Sequence, residues 1–310
     1  MIKQLAIKLF LFFIFSLIVY SSLIIIWGVY GPENFKDNSG IVNDYGYLNK
    51  RISDANVTKN IDILFLGPST TYRSYDPRIF KEAGYNIFNF GSSAQTPKQT
   101  NILIHNYLDK FNPKLIVYDV YPAVLEGDGI EPSLDLIING LGVVDTYGLV
   151  LNDLNIKIFN ALIFKSFMEI FSIPSPRKGD VKNDLYIKGG FVENNTTFTN
   201  NKPMILSKSN WAMKKNQLEF LDKNIDFINE KEIPLLLVRV PVNADQYFSK
   251  SNNESVDSLF RAKGDFKNFQ NSIKLSDSLD FKDVHHLNKN GAIKFDLHFI
   301  DYLKKNYKLD

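Results

Sequence analysis

Apolar residues follow two distinct patterns along the chain, and the first is one long run near the N-terminus. Residues 9–32 contain no charged residue. As a helix, this run would be about 36 Å long, which exceeds the roughly 30 Å of a bilayer core. Trp27 and Tyr30 lie near its far end, where aromatic side chains favour the membrane interface. The run therefore predicts an uncleaved membrane-spanning helix.

The charges that flank this run predict its orientation. Lys3, Lys8 and the α-amino group flank its near end, whereas Glu33, Lys36 and Asp37 leave the far flank nearly neutral. The positive-inside rule then places the N-terminus in the cytoplasm and the rest of the chain outside it. The alternative is a cleaved signal peptide, whose apolar region usually has about 7–15 residues and ends at a small-residue cleavage site. The longer run without such a site favours a single-pass protein of a bacterial cytoplasmic membrane.

The second pattern begins at residue 60 and consists of short apolar runs rich in β-branched and aromatic residues. Such runs predict buried parallel strands. They lie at residues 61–67, 85–91, 114–122 and 234–242. Between them, apolar residues recur at spacings of three and four, as in amphipathic helices. The predicted helices are residues 97–111, 213–230 and 288–305. Alternating strands and helices predict an α/β fold with a parallel sheet covered on both faces, in a three-layer flavodoxin-like arrangement.

One segment interrupts this alternation. Residues 125–211 contain an apolar helical part followed by polar stretches, and we interpret them as an insertion between the third and fourth strands that forms a cap or a partner surface. The predicted organisation is therefore a membrane anchor at residues 1–32, a polar linker at 33–59, and an α/β domain at 60–310 that carries the insertion.

Composition limits the chemistry that this domain can perform. Lys and Arg total 36 against 34 Asp and Glu, and a net charge of +2 argues against a nucleic-acid partner. Cysteine is absent, which excludes cysteine nucleophiles, thiolate metal sites and disulfides. Imidazole chemistry is limited to four residues, His105, His285, His286 and His298. The sequence offers no two-histidine-and-carboxylate set apart from the cluster around His286, so we predict neither a metal nor a cofactor.

The candidate chemistry lies where the first strand ends. Ser69 follows Gly67 by two residues, and ligands of parallel sheets collect at the carboxyl ends of the strands. A serine hydroxyl is a poor nucleophile unless a base removes its proton. Asp283 precedes His286 by three residues, a spacing that can bring the carboxylate to Nδ1 of the imidazole and leave Nε2 for the serine. We therefore predict a Ser69–His286–Asp283 triad, with His285 as the alternative base.

Other polar residues have structural interpretations. Ser69 could be only a helix cap, and Asp76, which precedes a proline, is predicted to cap a helix. Arg73 is predicted to be a surface residue, although it could bind an anionic substrate. Arg239 lies inside an apolar strand and needs a partner, for which Asp119 on the neighbouring strand is the candidate. Asn288 is predicted to cap the last helix.

Three motifs in this order resemble the SGNH (GDSL-like) hydrolase superfamily. They are Gly67-x-Ser69 after the first strand, Gly91 after the second, and Asp283-x-x-His286 before a C-terminal helix. The match covers about residues 60–310 apart from the insertion. The stretches GPSTTYRSYDPRIF and DVHHLNKNGAIKF look most like a membrane-anchored envelope branch, which includes proteins similar to the D-alanyl transfer protein of teichoic acids and to alginate O-acetylation proteins.

The resemblance implies a fold and a mechanism. It implies an SGNH-type domain, an acyl-enzyme on Ser69, His286 as base and Asp283 as its orienting partner. It also implies that the backbone N–H groups of Ser69 and Gly91 are oxyanion donors. The implied function is that of an acyltransferase or esterase on a cell-envelope glycan or polymer, working beside a membrane-bound O-acyltransferase.

The chain departs from the superfamily pattern at one point. The superfamily usually carries an Asn after the third strand as a further oxyanion donor, whereas this chain has YDVYPAV there. Loss of one such donor costs about 10²–10³ in rate. Tyr121, Ser92 and Asn243 are the candidates to replace it. The alternative function is therefore a catalytically weak or inactive SGNH-fold subunit that binds or scaffolds a membrane O-acylation complex.

Overall fold

The computed structural model describes residues 2–31, 46–152, 155–173, 183–198 and 207–309. Backbone contacts divide the chain into two compact units. The first comprises Met1–Asp44 and Ser133–Lys178, and the second comprises Tyr45–Pro132 and Gly179–Asp310. Of the predicted linker, residues 33–45 lie outside the described residues. The predicted insertion contributes to both units.

The described residues form short and long helices separated by short strands. The helices are α1 Ile2–Tyr30, α2 Leu48–Ala55, α3 Ser69–Tyr72, α4 Pro77–Glu82, α5 Pro97–Phe111, α6 Pro122–Glu126, α7 Ile130–Asp135, a π-helical turn Leu136–Gly140, α8 Val143–Thr146, α9 Gly148–Asn152, α10 Ile156–Ile170, α11 Lys215–Glu230, α12 Ala244–Phe248, α13 Asn253–Arg261 and α14 Lys289–Asn306. The strands are β1 Ile63–Leu66, β2 Ile87–Asn89, β3 Leu115–Asp119, β4 Asp184–Ile187, β5 Phe191–Asn194, β6 Leu235–Arg239 and β7 Phe266–Asn268.

The first unit is built around the N-terminal helix. Within the described part of the chain, α1 is the one helix long and apolar enough to cross a membrane, with a mean hydropathy of 2.7 in its most apolar window. By length and composition, such a helix is either a membrane anchor or a signal sequence. Helix α10 packs against α1: Tyr20 Oη donates to Asn160 Oδ1 at 2.6 Å. The Phe164 ring lies so close to Gly28 that an added Cβ would be 2.3 Å from Cε2.

The second unit contains a five-stranded sheet in the order β2-β1-β3-β6-β7, with every pair parallel. Counted within this sheet alone, the order is 2-1-3-4-5, as in flavodoxin-like doubly wound folds. The predicted α/β class is confirmed. Strand β7 was not predicted from the sequence because it has only three residues and a partly buried Lys267 at its centre.

Helices cover both faces of this sheet, as the alternation of strand side chains requires. On one face, Phe65 and Val117 belong to a buried cluster with Phe299 of α14. On the other face, Tyr118 accepts a hydrogen bond from Asn224 of α11 at 3.3 Å. The predicted three layers are therefore confirmed. Helix α5 has the predicted limits, α11 begins two residues later than predicted, and α14 is displaced by one residue.

The second unit also contains a small antiparallel hairpin, which consists of β4 and β5. Gly190 in its turn has φ +104°, and an added Cβ would lie 1.9 Å from the Asn89 carbonyl oxygen. Only glycine allows this approach to β2. The buried Arg51 side chain donates to the Gly190 carbonyl at 2.7 Å from Nη2 and fixes the turn.

Candidate active site

A tight turn places Ser69 at the end of β1. Gly67 has φ +140°, and an added Cβ would lie 2.3 Å from Thr71 Oγ1 and 2.9 Å from Asp119. The chain therefore reverses closely over the end of β3 and begins α3 at Ser69. The parallel register pairs β1 with both β2 and β3, so Gly67, Gly91 and Pro122 follow their strands at one edge, as predicted.

The loop before α14 brings the other two predicted residues to Ser69. His286 Nδ1 lies 2.8 Å and 2.9 Å from the two carboxylate oxygens of Asp283. His286 Nε2 lies 2.7 Å from Ser69 Oγ. Because the carboxylate requires a proton on Nδ1, Nε2 is left to accept the serine proton. The structure therefore joins Ser69, His286 and Asp283 in one hydrogen-bonded chain.

The Asp283 carboxylate also organises the loop itself. Its Oδ1 accepts the backbone N–H groups of His285 at 2.8 Å and His286 at 3.0 Å. Burial acts to raise the pKa of the Asp283 carboxyl, but the hydrogen bond and charge of His286, with Lys282, hold that pKa well below its usual range. The group therefore stays ionised at neutral and mildly acidic pH.

Asn288 connects this loop to the last helix. Its Oδ1 accepts the Gly291 N–H at 3.1 Å, so the predicted helix cap is confirmed. Its Nδ2 donates to the Leu279 carbonyl at 2.8 Å, across the loop. Asn288 therefore ties the start of the loop that carries His286 to the first turn of α14.

The two backbone groups that the resemblance assigns to the oxyanion differ in their surroundings. Ser69 N–H is the first amide of α3 and meets no acceptor among the described residues. Gly91 N–H donates a long bond of 3.3 Å to the side chain of Asn89. The N–H of Ser69 is therefore free to donate to a ligand. The N–H of Gly91 would have to give up its long hydrogen bond to Asn89 before it could donate to a ligand.

The three candidates for the missing Asn lie in different environments. Asn243 caps α12 by accepting the Asp245 N–H at 3.0 Å. The Ser92 hydroxyl donates to Gln95 at 2.7 Å. Tyr121 lines the cavity beside the serine. Of the three, Tyr121 is the one whose side chain borders the space next to Ser69.

That cavity has a volume of about 350 Å³. Ser69, Tyr121, His285 and His286 contribute its polar wall, and Ala123, Val124 and Pro132 contribute apolar wall. The volume is near the lower end of the roughly 300–1,000 Å³ of ligand pockets. The cavity therefore has room for a small ligand beside Ser69.

Sequence reasoning missed the role of Asp119. Thr70 donates a hydrogen bond to its Oδ2, and Thr71 lies 3.3 Å from the same oxygen. Burial raises the pKa of the Asp119 carboxyl to about 7, against the opposing hydrogen bond from Thr70. The residue fixes the turn that carries Ser69. The signal available in the sequence was an acidic residue at the end of an apolar strand, but we interpreted Asp119 as the ion-pair partner of Arg239.

Two predictions about arginines are wrong. Arg239 pairs with Asp257 of α13 at 2.6 Å, not with Asp119, because α13 brings a carboxylate to its guanidinium within the buried layer. Arg73 is buried and forms a two-pronged ion pair with Asp184 of β4, at 2.8 Å and 2.6 Å, so it is not a surface residue. Asp76 does cap its helix, accepting the backbone N–H of Arg78 at 2.9 Å.

Within the described residues, no group of three or more His, Asp or Glu side chains is arranged to hold a metal ion.

No protein-family model matches the chain, and no curated protein matches it in sequence. Among solved structures, it is similar to a GDSL-like lipase from Bacteroides thetaiotaomicron, with 13% identity and a TM-score of 0.42 over 84% of this chain and 98% of that one. It is also similar to a family 3 carbohydrate esterase from Clostridium thermocellum, with 15% identity and a TM-score of 0.37 over 80% of this chain and 96% of that one. These similarities are low, so we base the functional proposal on the geometry of the site.

Proposed function

We propose that the chain is a membrane-anchored serine acyltransferase or esterase of the SGNH (GDSL-like) type that acts outside the cytoplasm on a cell-envelope glycan or polymer. The observation that carries this proposal is the continuous hydrogen-bonded chain from Asp283 through His286 to Ser69. Ser69 and His286 are 217 positions apart in sequence. Core packing alone gives no reason for a nucleophile, a base and a carboxylate to meet in this order beside a cavity.

The geometry supports a two-step acyl transfer. Ser69 Oγ attacks the carbonyl carbon of an acyl ester while His286 Nε2 takes the hydroxyl proton. The C–O bond to the carrier then breaks, and His286 returns the proton to the leaving oxygen. A hydroxyl of the acceptor, or water, then attacks the resulting acyl-serine while His286 Nε2 takes its proton. Cleavage of the Ser69 ester bond releases the product and restores the serine proton.

Asp283 supports each proton transfer. His286 becomes positively charged whenever it holds the transferred proton, and the ionised carboxylate at 2.8 Å stabilises that cation. The same contact keeps Nε2 directed at Ser69. The N–H groups of Ser69 and Gly91 are the proposed donors to the negatively charged oxygen of the tetrahedral intermediate.

The proposed location follows from α1. As an uncleaved anchor with its N-terminus in the cytoplasm, this helix would hold the second unit at the outer membrane face, where envelope polymers are modified. A membrane-bound O-acyltransferase is the proposed partner, supplying the acyl group from the membrane side. This role requires that the acyl-serine outlast hydrolysis until the acceptor binds.

Labelling with a fluorophosphonate tests the central step, since this probe forms a covalent bond with an activated serine. The full-length chain in detergent micelles should be labelled, and Ser69→Ala should abolish labelling. Ser278→Ala, at an exposed position away from the cavity, is the matched control and should be labelled normally. Persistent labelling of Ser69→Ala would exclude Ser69 as nucleophile. A wild-type chain that does not react would favour the inactive scaffold.

A further inference from the structure

A second histidine borders the cavity and is held by its own hydrogen bonds. Tyr121 Oη lies 2.8 Å from His285 Nδ1. Gln246 Nε2 donates to the same tyrosine oxygen at 3.5 Å. Tyr121 and Gln246 are buried, so this arrangement is shielded from competing water. Tyr121 lies two residues after β3, in the stretch where the sequence has no Asn.

These bonds favour one tautomer of His285. The Gln246 amide donates to the tyrosine oxygen, which leaves the Tyr121 hydroxyl proton for His285 Nδ1. The neutral imidazole then carries its own proton on Nε2. Among the described residues, no acceptor meets Nε2 of His285, although the residue lines the same cavity as Ser69.

His285 also keeps a suitable charge during the reaction. Burial lowers its pKa, and the neighbouring His286, with ring centroids 6.0 Å apart, lowers that pKa further, while Asp283 opposes both. His285 therefore stays neutral when His286 gains the serine proton. A neutral N–H group can stabilise an oxyanion without adding a second cation beside the base.

We propose that His285, oriented by Tyr121, donates its Nε2–H to the carbonyl oxygen of the bound acyl ester and so supplies the hydrogen bond for which this sequence has no asparagine. The inference rests on the proposed serine acyl transfer. Tyr121 is a positioning residue, because it acts through the histidine.

Kinetics of the full-length chain in detergent micelles test this role. With p-nitrophenyl acetate, His285→Ala should lower kcat by about 10²–10³ and leave KM nearly unchanged, because the donor acts on the transition state. His285→Gln, which keeps an N–H donor, should recover part of the loss. His105→Ala, whose ring stacks on Phe227 at a distance from the cavity, is the matched control.

A tautomer measurement separates this role from simple loss of structure. Nitrogen-15 NMR of the histidine side chains should show His285 protonated at Nε2 in the wild type and a mixture of tautomers in Tyr121→Phe. Protonation at Nδ1 in the wild type would overturn the proposal. Ser69-dependent labelling of His285→Ala at the wild-type rate would also overturn it while leaving the proposed function intact, whereas an unreactive wild type would overturn both.

An independent observation concerns the outward face of α10 in the first unit. Apolar residues on this face recur at spacings of three and four, and each is exposed or partly exposed. They are Ile156, Phe159, Ile163, Phe167 and Ile170. Phe171 and Ile173 extend the apolar surface beyond the helix. We call these seven residues the α10 stripe.

Two buried residues of α10, Asn160 and Phe164, contact the outer half of α1. The contacts run from Tyr20 to Gly28, about 12 Å along the helix axis. When α1 spans a bilayer, a helix packed along this part lies at the depth of the outer leaflet. Within α10, Asn160 bonds to Tyr20, Ser166 donates to the Leu162 carbonyl, and Lys165 pairs with Glu169 at 3.7 Å. Lys157 is exposed in the first turn, and a lysine side chain is long enough to carry its charge to the membrane interface.

We infer that the α10 stripe contacts the lipid of the outer leaflet, so that the first unit is held in the membrane by two helices rather than one. The inference rests on the proposed anchoring role of α1. The surrounding lipid would cover the apolar surface that these seven side chains expose in whole or in part.

The absence of cysteine allows a direct test by labelling single introduced thiols in the full-length chain in liposomes. Phe159→Cys and Ile170→Cys would carry an environment-sensitive fluorophore, with Phe13→Cys on α1 as the lipid reference. Val57→Cys, at an exposed position of the second unit, is the aqueous reference. The α10 probes should be quenched by spin-labelled lipid, like Phe13→Cys, and protected from aqueous iodide.

The outcomes test the lipid contact and the membrane anchor separately. Iodide quenching at α10 with lipid quenching at Phe13→Cys would overturn the lipid contact while leaving the anchor intact. Protection of the α10 probes from both quenchers would show that protein covers the stripe and would also overturn it. A Phe13→Cys probe outside the lipid would overturn the anchor itself.

Discussion

At the residue scale, the candidate site depends on consecutive short hydrogen bonds, each of which orients the side chain that makes the next one. Asp283 fixes His286, and His286 in turn reaches Ser69 at 2.7 Å. Asp119 stabilises the turn that carries Ser69 by accepting a hydrogen bond from Thr70. Position, not an unusual residue type, therefore makes one serine out of many a candidate nucleophile.

The members of such a chain should act as a unit. Ser69→Ala and His286→Ala should each reduce kcat for p-nitrophenyl acetate by about 10⁴ or more, and the double variant should lose little beyond either single one. Steady-state kinetics of the three variants would check this expectation. Losses that multiply in the double variant would show that the two residues act independently.

Asp119 should make stability depend on pH. The folded-state pKa of about 7 exceeds the unfolded value of about 3.9, so between these values the unfolded chain has released a proton that the folded one retains. Rising pH in this window therefore lowers the free energy of unfolding, and the loss is complete above the folded pKa.

Asp119→Asn tests this dependence because the amide still offers Thr70 an acceptor but cannot ionise. Urea unfolding of the full-length chain in detergent micelles should show a smaller loss of stability from about pH 4 to pH 7 in the variant than in the wild type. Equal losses in the two proteins would mean that Asp119 does not titrate in this window.

The residues that sequence predicted best are those whose roles depend on local spacing. Asp283 and His286 are three residues apart on one turn, and Ser69 follows its strand directly. The partner of Arg239 was predicted wrongly because Asp257 reaches it from a helix whose placement no local pattern encodes. The buried pair of Arg73 and Asp184 likewise joins segments 111 positions apart.

At the scale of elements, periodicity predicted helices and central strands well because each buries a continuous apolar face. Helix α5 has its predicted limits, whereas the three-residue β7 and the four-residue β4 and β5 are too short to produce a pattern. The hairpin is held by side chains from other elements, such as Arg51 and Arg73.

Gly190 should be the most sensitive position of this hairpin. Gly190→Ala adds a Cβ at 1.9 Å from the Asn89 carbonyl oxygen in a backbone with φ +104°, and we expect a marked loss of thermal stability. Gly84→Ala is a matched control, since it has φ +92° but no atom within 4 Å of the new Cβ. Gly84→Ala should lower the free energy of unfolding by about 1–2 kcal/mol, the strain of a side chain at positive φ.

Thermal unfolding of both variants followed by circular dichroism would separate steric overlap from backbone strain. A Gly190→Ala protein as stable as Gly84→Ala would show that β2 and the hairpin can move apart freely. That result would remove the close approach as the reason for glycine in this turn.

At the scale of the whole molecule, the proposed function requires the second unit to lie outside the cytoplasm. Alkaline phosphatase fused after Asp310 should be active, because this reporter folds only in the oxidising compartment beyond the membrane. A fluorescent reporter restricted to the cytoplasm should stay dark at the same position. The reverse pattern would contradict the orientation that Lys3 and Lys8 predict.

The distance in sequence between Ser69 and His286 has a consequence for synthesis of the chain. A ribosome that adds about 5–20 residues per second needs about 10–40 s to cover the 217 positions between them. During that interval the serine has already been made, but no base is present to take its proton. If Ser69 is the proposed nucleophile, the nascent polypeptide is unreactive, and its reactivity begins only when folding brings the loop before the last helix onto the sheet.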